Sequence, residues 1–488
     1  MGTTEQSGVD SLRDFIDLID GRGWLKRIDG ADWEIEIGAL TETVAFTKNP
    51  KALLFDSIAG YPEGHRVVTN LYSTEALQAL ALGLPSDRSG SDLVSAWREK
   101  REEMEDIPPE AVDDGPVREN VLRGEDVDVT TFPVPLWHEH DGGRYFGTGD
   151  TVITRTPDGE WVNTAVYRSQ VQDEKTLGLM TNQTHHGRVQ LRQFWERGED
   201  APIVMTAGQS PYVYAGSCLP LPAGYSELEF AGGLKGSPIE VIEHEGTGLP
   251  VPAHAEIAVI GHVPPPEEEM RMEGPFGECA GYYAGGRREH LVINVEEIWH
   301  RNDPILQGNP TMHGSAMRHA LGGELVTSAA IWDAIDEDIP NVEGVYALYQ
   351  QCQQGAEIVA VSIDQTYAGH AKQAAAAVRG ARATGTMNRM IVVVDDDIDP
   401  SSREEVLFAL STRCDPAEDI DIMTGTPSAN LDPRVHPDRM DEGDLTTSTM
   451  LVDACIPYHW RDEFPRRNLV SDDLREAMKS KWDVEQWT

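Results

Sequence analysis

Trp161-Val162-Asn163-Thr164-Ala165-Val166-Tyr167 is a short run rich in β-branched and aromatic residues, a composition that favours a β-strand. Similar runs lie before and after it, separated by Gly, Pro and Asp: Asp150–Thr154, Pro202–Met205 and Leu291–Val295. Many short strands at close spacing predict a barrel-like β domain over residues 113–315. A few helices are inserted into it, one of which starts near His186.

The segments on either side of this domain mix helices with strands. Residues 1–112 contain a helical run behind Ser11 and short strand-like runs at 52–55 and 66–69, which predicts an α/β segment. In residues 316–488, strands and helices alternate between 359 and 410, which predicts an α/β domain with a parallel sheet. A terminal helix is predicted over 472–487, and we expect it to dock on this domain or on a partner subunit. The chain is therefore predicted to be a multidomain α+β and α/β protein.

The net charge restricts the possible partners. There are 83 acidic and 40 basic residues in the 488, so the formal net charge is -43. This charge excludes nucleic acid and anionic membrane surfaces as expected partners. The acidic residues are spread along the whole chain, a pattern that indicates adaptation to high salt, where screening reduces self-repulsion.

The cysteines and the apolar runs indicate the cellular compartment in which we expect the protein. The five cysteines are widely separated and include no C-x-x-C pair, which argues against a disulfide framework and against a thiolate zinc site. No apolar run approaches the roughly 20 residues of a membrane span. The first ten residues have no secretory pattern. We therefore expect a soluble, cytoplasmic protein.

Glu273-Gly274-Pro275-Phe276-Gly277-Glu278 is the first candidate for chemistry. The Gly-Pro and Gly residues predict a tight turn, which can bring the two carboxylates together. Two carboxylates in one pocket can act as acid and base, because burial and mutual repulsion separate their pKa values. In so acidic a chain, the alternative is a solvated surface pair.

Further polar residues could hold a metal ion. Asn163 and Arg168 flank the quoted strand, and their offset of five places them on opposite faces unless the chain bends. His186 and Glu227, joined by the amide oxygen of Asn163, would offer one nitrogen and two oxygen ligands, a set that favours Mn²⁺ or Mg²⁺. The alternative for His186 is a capping or packing role.

Two other segments have both a functional and a structural interpretation. Residues 215–224 form a predicted loop of small residues whose amides could approach a phosphate or an ion, or which only connects two elements. His138 and His140 form a His-x-His pair that could bind a metal, but the neighbouring Pro and Gly residues favour a polar loop.

Taken in series, these motifs resemble the UbiD family of prenylated-FMN-dependent (de)carboxylases. The resemblance runs from about residue 110 to 460. It rests on the following pieces, in order: Asp141-Gly142-Gly143-Arg144-Tyr145, Asn163-x4-Arg168, His186, Ser217–Pro222, Glu227, the Glu273–Glu278 motif and Val392–Asp399. The resemblance implies a split β-barrel middle domain of the flavin-reductase type, flanked by α/β domains, in a homodimer or larger homo-oligomer.

The resemblance also implies ligands and site residues. Arg168, Glu273 and Glu278 match the catalytic Glu-Arg-Glu network of the family. Asn163, His186 and Glu227 match its Mn²⁺ or Mg²⁺ ligands, and the backbone near 215–219 with Glu227 matches its K⁺ site. The implied contacts of prenylated FMN are Asn163, Thr164, Ala165, Val166, Arg168, His185, His186, Ser217, Cys218, Leu219, Glu227 and Arg382.

The implied activity is reversible, non-oxidative decarboxylation of an aromatic, heteroaromatic or α,β-unsaturated carboxylic acid, with a UbiX-like prenyl-FMN synthase supplying the cofactor. Arg168 would orient the substrate carboxylate and Glu278 would protonate the carbon that loses CO₂. His185 and residues 423–427 are candidate positions of the substrate pocket. His185 suggests a polar ring substituent on the substrate, or a packing role. Two alternatives are a flavin-binding split barrel without decarboxylase activity and a metal-dependent hydrolase that uses His138 and His140.

Overall fold

The computed structural model describes residues 8–312, 321, 323–350 and 355–482. The helices in these ranges are α1 (Leu12–Gly21), α2 (Glu36–Ala45), α3 (Glu75–Ala81), α4 (Gly90–Glu103), α5 (His186–Trp195), α6 (Pro211–Cys218), α7 (Glu227–Lys235), α8 (Glu324–Asp336), α9 (His370–Gly380), α10 (Arg403–Thr412), α11 (Pro437–Asp441) and α12 (Asp472–Trp482).

The strands of the described ranges, in chain order, are β1 (Leu25–Asp29), β2 (Ala52–Asp56), β3 (Arg66–Thr69), β4 (Glu110–Ala111), β5 (Asn120–Arg123), β6 (Tyr145–Gly147), β7 (Asp150–Arg155), β8 (Val162–Ala165), β9 (Ser169–Asp173), β10 (Thr176–Leu179), β11 (Ala201–Ala207), β12 (Glu240–His244), β13 (Leu249–Pro252), β14 (Ile257–Val263), β15 (Arg271–Glu273), β16 (Arg288–His300), β17 (Ile305–Gln307), β18 (Val342–Tyr349), β19 (Ile358–Ile363), β20 (Met390–Asp395), β21 (Ile420–Pro427) and β22 (Thr446–Asp453).

A curled ten-stranded sheet forms the middle of the protein. Eight of its strands pair in the order β6-β9-β10-β16-β14-β11-β7-β8, and β5 and β15 add to β16. β16 is 13 residues long, and it pairs antiparallel with β10, β14, β15 and β5 along its length. Alternate side chains of these strands form a buried apolar core. The predicted β-rich middle domain within a multidomain α+β protein is therefore confirmed.

The C-terminal sheet has the order β18-β19-β20-β22-β21. The predicted parallel arrangement holds for its three central strands, because β20 pairs parallel with both β19 and β22. The two edge strands are antiparallel, which the strand-helix alternation did not predict.

At the other end of the chain, β17 joins β1, β2 and β3 in a four-stranded sheet. The boundaries at residues 112 and 315 stay predictions.

Two expectations are wrong in detail. Residues 215–218, the first part of the predicted loop of small residues at 215–224, instead form the end of helix α6, because Ser210 caps its first turn and Pro211 occupies its first position. Cys279 is disulfide-bonded, whereas Cys218, Cys414 and Cys455 are thiols and Cys352 lies outside the described residues. Wide separation of the cysteines in the sequence therefore did not exclude a disulfide. In the part of the chain that the structure describes, no helix has both the length and the apolar character needed to cross a membrane.

Gly261 should be essential for the contact between β14 and β16. A Cβ atom at this position would lie 2.0 Å from the backbone oxygen of Asn294, at the point where the register of the two strands shifts. We expect Gly261→Ala to lower the free energy of unfolding by about 1–3 kcal/mol, because the backbone must move to make room. Thermal or urea unfolding measures this loss. Gly21→Ala is the matched control, since nothing lies within 4 Å of its Cβ position; equal midpoints for the two variants would contradict the prediction.

Candidate active site

A cavity of about 500 Å³ lies beside strand β8. Its walls come from β8 and the residues after it, the first turns of α5 and α7, the end of α6 with the loop that follows, and Arg382. All of the predicted cofactor contacts except Arg168 line this cavity: Asn163, Thr164, Ala165, Val166, His185, His186, Ser217, Cys218, Leu219, Glu227 and Arg382. The fold thus gathers residues that are more than 200 positions apart in the sequence.

The three candidate metal ligands approach the cavity from three elements. Asn163 lies on β8 and is 1% exposed, while His186 and Glu227 are the first residues of α5 and α7. Burial raises the pKa of Glu227 to about 7, although the N–H of Thr164 donates to its Oε2 at 2.9 Å. Burial, and then the nearby Arg382, lower the pKa of His186, which favours the neutral form that binds metals.

These residues fit a divalent cation and a phosphate-bearing cofactor. A buried carboxyl group with a raised pKa is stabilised in its charged form by a bound cation. Within the described residues no three His, Cys, Asp or Glu side chains form a metal-binding group. The candidate ligand set therefore needs the amide oxygen of Asn163 in addition to His186 and Glu227. Arg382 adds a cation to the lining of the cavity, and the volume suits a small-molecule site.

Arg168, Glu273 and Glu278 form a buried ion network. Nε and Nη2 of Arg168 each donate to one oxygen of Glu273 at 2.9 Å, and Nη1 donates to Oε1 of Glu278 at 2.6 Å. The three side chains are 12%, 1% and 7% exposed, in that order. The tight turn therefore brings both carboxylates to one guanidinium, as the sequence predicted.

Arg168 reaches this position because the chain bends. Strand β8 ends at Ala165 and β9 begins at Ser169, so residues 166–168 are free of the strand periodicity. The guanidinium also lies over the ring of Phe276, 5.1 Å from its centre. The bend allows Arg168 to leave the face set by the strand, although Asn163 lines the cavity and Arg168 does not.

Burial sets the electrostatics of the network. Desolvation raises the pKa of Glu278 above its usual range; Arg168 opposes this shift, and the negative charges of Glu273 and Asp141 add to it. Burial disfavours the charge of Arg168, but the two glutamates together raise its pKa. The arrangement can keep Glu278 as an acid while Glu273 forms the bidentate ion pair.

Several nearby residues were missed by sequence reasoning. Thr148, Tyr214, Asn309 and Thr311 line the cavity, and Nε2 of His290 lies 3.3 Å from Oε2 of Glu273. Asn309 and Thr311 follow strand β17 in a loop with Gly and Pro, which is a typical position for binding residues. The other three gave no sequence signal.

Other predicted residues lie elsewhere. The Arg168 network itself does not line the cavity, but its neighbours Tyr167 and Cys279 do. Residues 423–427, considered for substrate contact, line a second cavity of about 530 Å³ that shares Arg382. His138 and His140 lie in a turn: Nδ1 of His138 is 3.4 Å from Asp141, and the His140 ring packs edge-on against Tyr283. Among the residues that the structure describes, no three His, Cys, Asp or Glu side chains form a metal-binding group at this turn, so nothing there supports the hydrolase alternative.

Comparisons with known proteins agree with this geometry. Profiles of the N-terminal, Rift-related and C-terminal domains of 3-octaprenyl-4-hydroxybenzoate carboxy-lyase (UbiD) match residues 16–97, 110–314 and 320–454. The chain is 33% identical over 426 residues to a pyrrole-2-carboxylic acid decarboxylase from Pseudomonas aeruginosa, covering 84% of each protein.

Three solved structures are similar over nearly the whole chain. The open form of vanillic acid decarboxylase from Sedimentibacter hydroxybenzoicus matches with a TM-score of 0.85 and 28% identity, covering 98% of this chain and 99% of that one. The UbiD-class enzyme HmfF from Pelotomaculum thermopropionicum, in complex with FMN, matches with a TM-score of 0.82 and 27% identity, covering 97% and 100%. An evolved dimeric form of HmfF is in complex with prenylated FMN, and it matches with a TM-score of 0.79 and 26% identity, covering 96% and 98%. The chain therefore belongs to the UbiD family of decarboxylases.

Proposed function

We propose that this protein catalyses the reversible, non-oxidative decarboxylation of an aromatic or heteroaromatic carboxylic acid with prenylated FMN. The observation that carries the proposal is the buried Arg168–Glu273–Glu278 network, whose chain neighbours Tyr167 and Cys279 line the candidate cofactor cavity. A flavin carrier without decarboxylase activity would need the cavity but not this network. The family membership of the chain and the prenylated FMN bound by one structural relative support the same assignment.

The three charged residues have separate roles in this proposal. Prenylated FMN, when bound, supplies the electron sink for the electron pair left as CO₂ departs. Glu278 holds a proton in its raised-pKa carboxyl group and delivers it to the carbon that lost CO₂. Arg168 orients the substrate carboxylate and fixes both glutamates, and Glu273 holds the guanidinium plane in place.

The cavity residues would hold the cofactor and its ions. We assign Asn163, His186 and Glu227 to Mn²⁺ or Mg²⁺ beside the cofactor phosphate, and Arg382 to the phosphate itself. K⁺ would lie near the end of α6, close to Ser217 and Glu227. A UbiX-like prenyl-FMN synthase would supply the cofactor.

Residues that line the cavity support the proposed substrate class. The His185 ring stacks on Tyr167 at 5.4 Å between ring centres, and Nδ1 of His185 accepts from the Asn182 N–H at 3.3 Å. These contacts support a packing role for His185, which also lines the cavity. The relatives named above act on a pyrrole and a phenolic acid, which supports a flat ring substrate.

We also propose that the protein is a homo-oligomer built through its C-terminal part. Ten of the fifteen exposed large apolar side chains of the described residues belong to this part: Leu407, Phe408, Ile422, Met423, Trp460, Leu469, Val470, Leu474, Met478 and Trp482. A second copy of the chain would cover them. The cytoplasmic location and the adaptation to high salt stay predictions.

The test is reconstitution of the holoenzyme. The protein is co-expressed with a prenyl-FMN synthase and purified in high KCl with Mn²⁺, and the released cofactor is identified by absorbance and mass. We expect prenylated FMN, and CO₂ release from at least one acid in a panel of pyrrole, furan and phenolic carboxylates. Binding of the cofactor without CO₂ release or deuterium exchange on any member would favour the flavin-carrier alternative.

Glu227→Gln should weaken metal binding. The amide keeps the size of Glu227 but cannot supply the negative charge that a divalent cation needs in this buried position. We expect Mn²⁺ affinity to fall by at least about tenfold, a typical loss for a perturbed metal site. Electron paramagnetic resonance of free Mn²⁺ measures binding to the apo-protein. Glu229→Gln, on the same helix, is the matched control; equal affinities in the two variants would remove Glu227 from the metal site.

A further inference from the structure

The turn that contains Asp141 packs against the loop between Glu273 and Glu278. The Asp141 side chain has no exposed surface, and its carboxylate joins three segments of the chain. Oδ1 accepts from the N–H of Gly277 and from the hydroxyl of Tyr283, each at 3.2 Å. Oδ2 accepts from the N–H of His138 at 3.1 Å. The carboxylate is therefore bonded to the residue directly before Glu278.

The backbone reinforces this contact. The N–H of Gly142 donates to the oxygen of Pro275 at 2.7 Å, and a Cβ at Gly142 would lie 1.9 Å from the oxygen of Gly274. On the other side, the N–H of Glu278 donates to the oxygen of Tyr282 at 3.0 Å. The loop is thus held from both sides, and only glycine at position 142 allows the turn to approach this closely.

Asp141 also places a negative charge near Glu278. Its donors are two backbone N–H groups and a hydroxyl, and in the described part of the chain the one basic side chain with a nitrogen within 4.0 Å of its carboxylate is His138. The other charged groups that act on Glu278 are Arg168 and Glu273. Around Tyr283, the His140 ring packs edge-on and the charge of Glu42 acts on the phenol. A negative charge in this position disfavours ionisation of Glu278.

We propose that Asp141 is a positioning residue that fixes Glu278 through Gly277 and keeps Glu278 in its acid form through its own charge. The effect on rate rests on the proposed decarboxylase function, but the effect on the protonation of Glu278 does not. The apo-protein therefore tests the inference independently of catalysis.

Infrared titration of the apo-protein measures the protonation of Glu278. The carbonyl band of its acid form is identified as the band that Glu278→Gln removes. Asp141→Asn keeps an acceptor oxygen for Gly277 and Tyr283 but removes the charge. Loss of the charge favours ionised Glu278, so we expect its titration midpoint to fall by about one pH unit. In the holoenzyme, the alkaline limb of the kcat profile should move to lower pH by the same amount, since the acid is needed in its protonated form.

Three comparisons can overturn the inference. Asp126→Asn removes one exposed negative charge elsewhere and should leave the midpoint unchanged; a shift equal to that of Asp141→Asn would contradict a local effect. Tyr283→Phe keeps the charge of Asp141 and should also leave the midpoint unchanged. If wild-type Glu278 titrates near the ordinary value of about 4.3, the inference fails without any Asp141 variant. Absence of CO₂ release by the wild-type holoenzyme would instead overturn the proposed function and leave the infrared result intact.

Discussion

Glu278→Gln is expected to abolish CO₂ release while the protein keeps its cofactor. The amide can still accept the hydrogen bond from Nη1 of Arg168, but it carries no acidic proton for the substrate carbon. General acid catalysis contributes about 10²–10⁴-fold in rate, so we expect a loss of that size. The measurement is CO₂ release together with deuterium exchange at the ring carbon, with bound cofactor followed by its absorbance.

The matched control is Glu289→Gln, because Glu289 is exposed on the neighbouring strand β16. It should retain the wild-type rate and the wild-type pH profile. In the wild-type enzyme, burial raises the pKa of Glu278. The decarboxylation rate should therefore stay constant at pH values below that pKa and fall as the pH rises through it. A Glu278→Gln enzyme with more than a tenth of the wild-type rate would assign the proton to another group.

Arg168→Lys should disrupt the whole network, although the charge is retained. A lysine ammonium cannot form the two parallel bonds to Glu273 and the third bond to Glu278 from one planar group. The change leaves a buried carboxylate poorly paired, which typically costs about 3–5 kcal/mol of stability. We expect lower thermal stability and loss of decarboxylation together.

Two further variants make this prediction specific. Arg192→Lys, at an exposed position 3.7 Å from Glu196, should leave both stability and activity unchanged. The double variant Arg168→Lys with Glu273→Gln removes the unpaired charge and should recover part of the lost stability. If the double variant is as unstable as the sum of the two single variants, the ion pair is not the cause.

The sequence predicted those parts of the site that depend on local geometry. The Gly-Pro and Gly residues between Glu273 and Glu278 determine a turn, so convergence of the two carboxylates was predictable. Arg168 was not predictable from strand periodicity, because it lies in the bend between β8 and β9. The resemblance to the family supplied its role.

The sequence pattern could not predict contacts between segments that lie far apart in the chain. His290 reaches Glu273 across the pairing of β15 with β16, and nothing in its neighbourhood indicates such a contact. The disulfide at Cys279 and the antiparallel edge strands of the C-terminal sheet were likewise not predictable from the local sequence. Each depends on which segments meet in the folded chain, whereas periodicity reports only which face of one segment is buried.

Strand β17 limits which truncations and domain exchanges the protein can tolerate. It pairs parallel with β3 in the N-terminal sheet, and the N–H of Gly308 then donates to the oxygen of Val68 at 2.9 Å. The next residues, Asn309 and Thr311, line the candidate cofactor cavity. The N-terminal unit is therefore not a detachable module: a truncation or domain exchange that removes β3 would leave one wall of the cavity without its anchor.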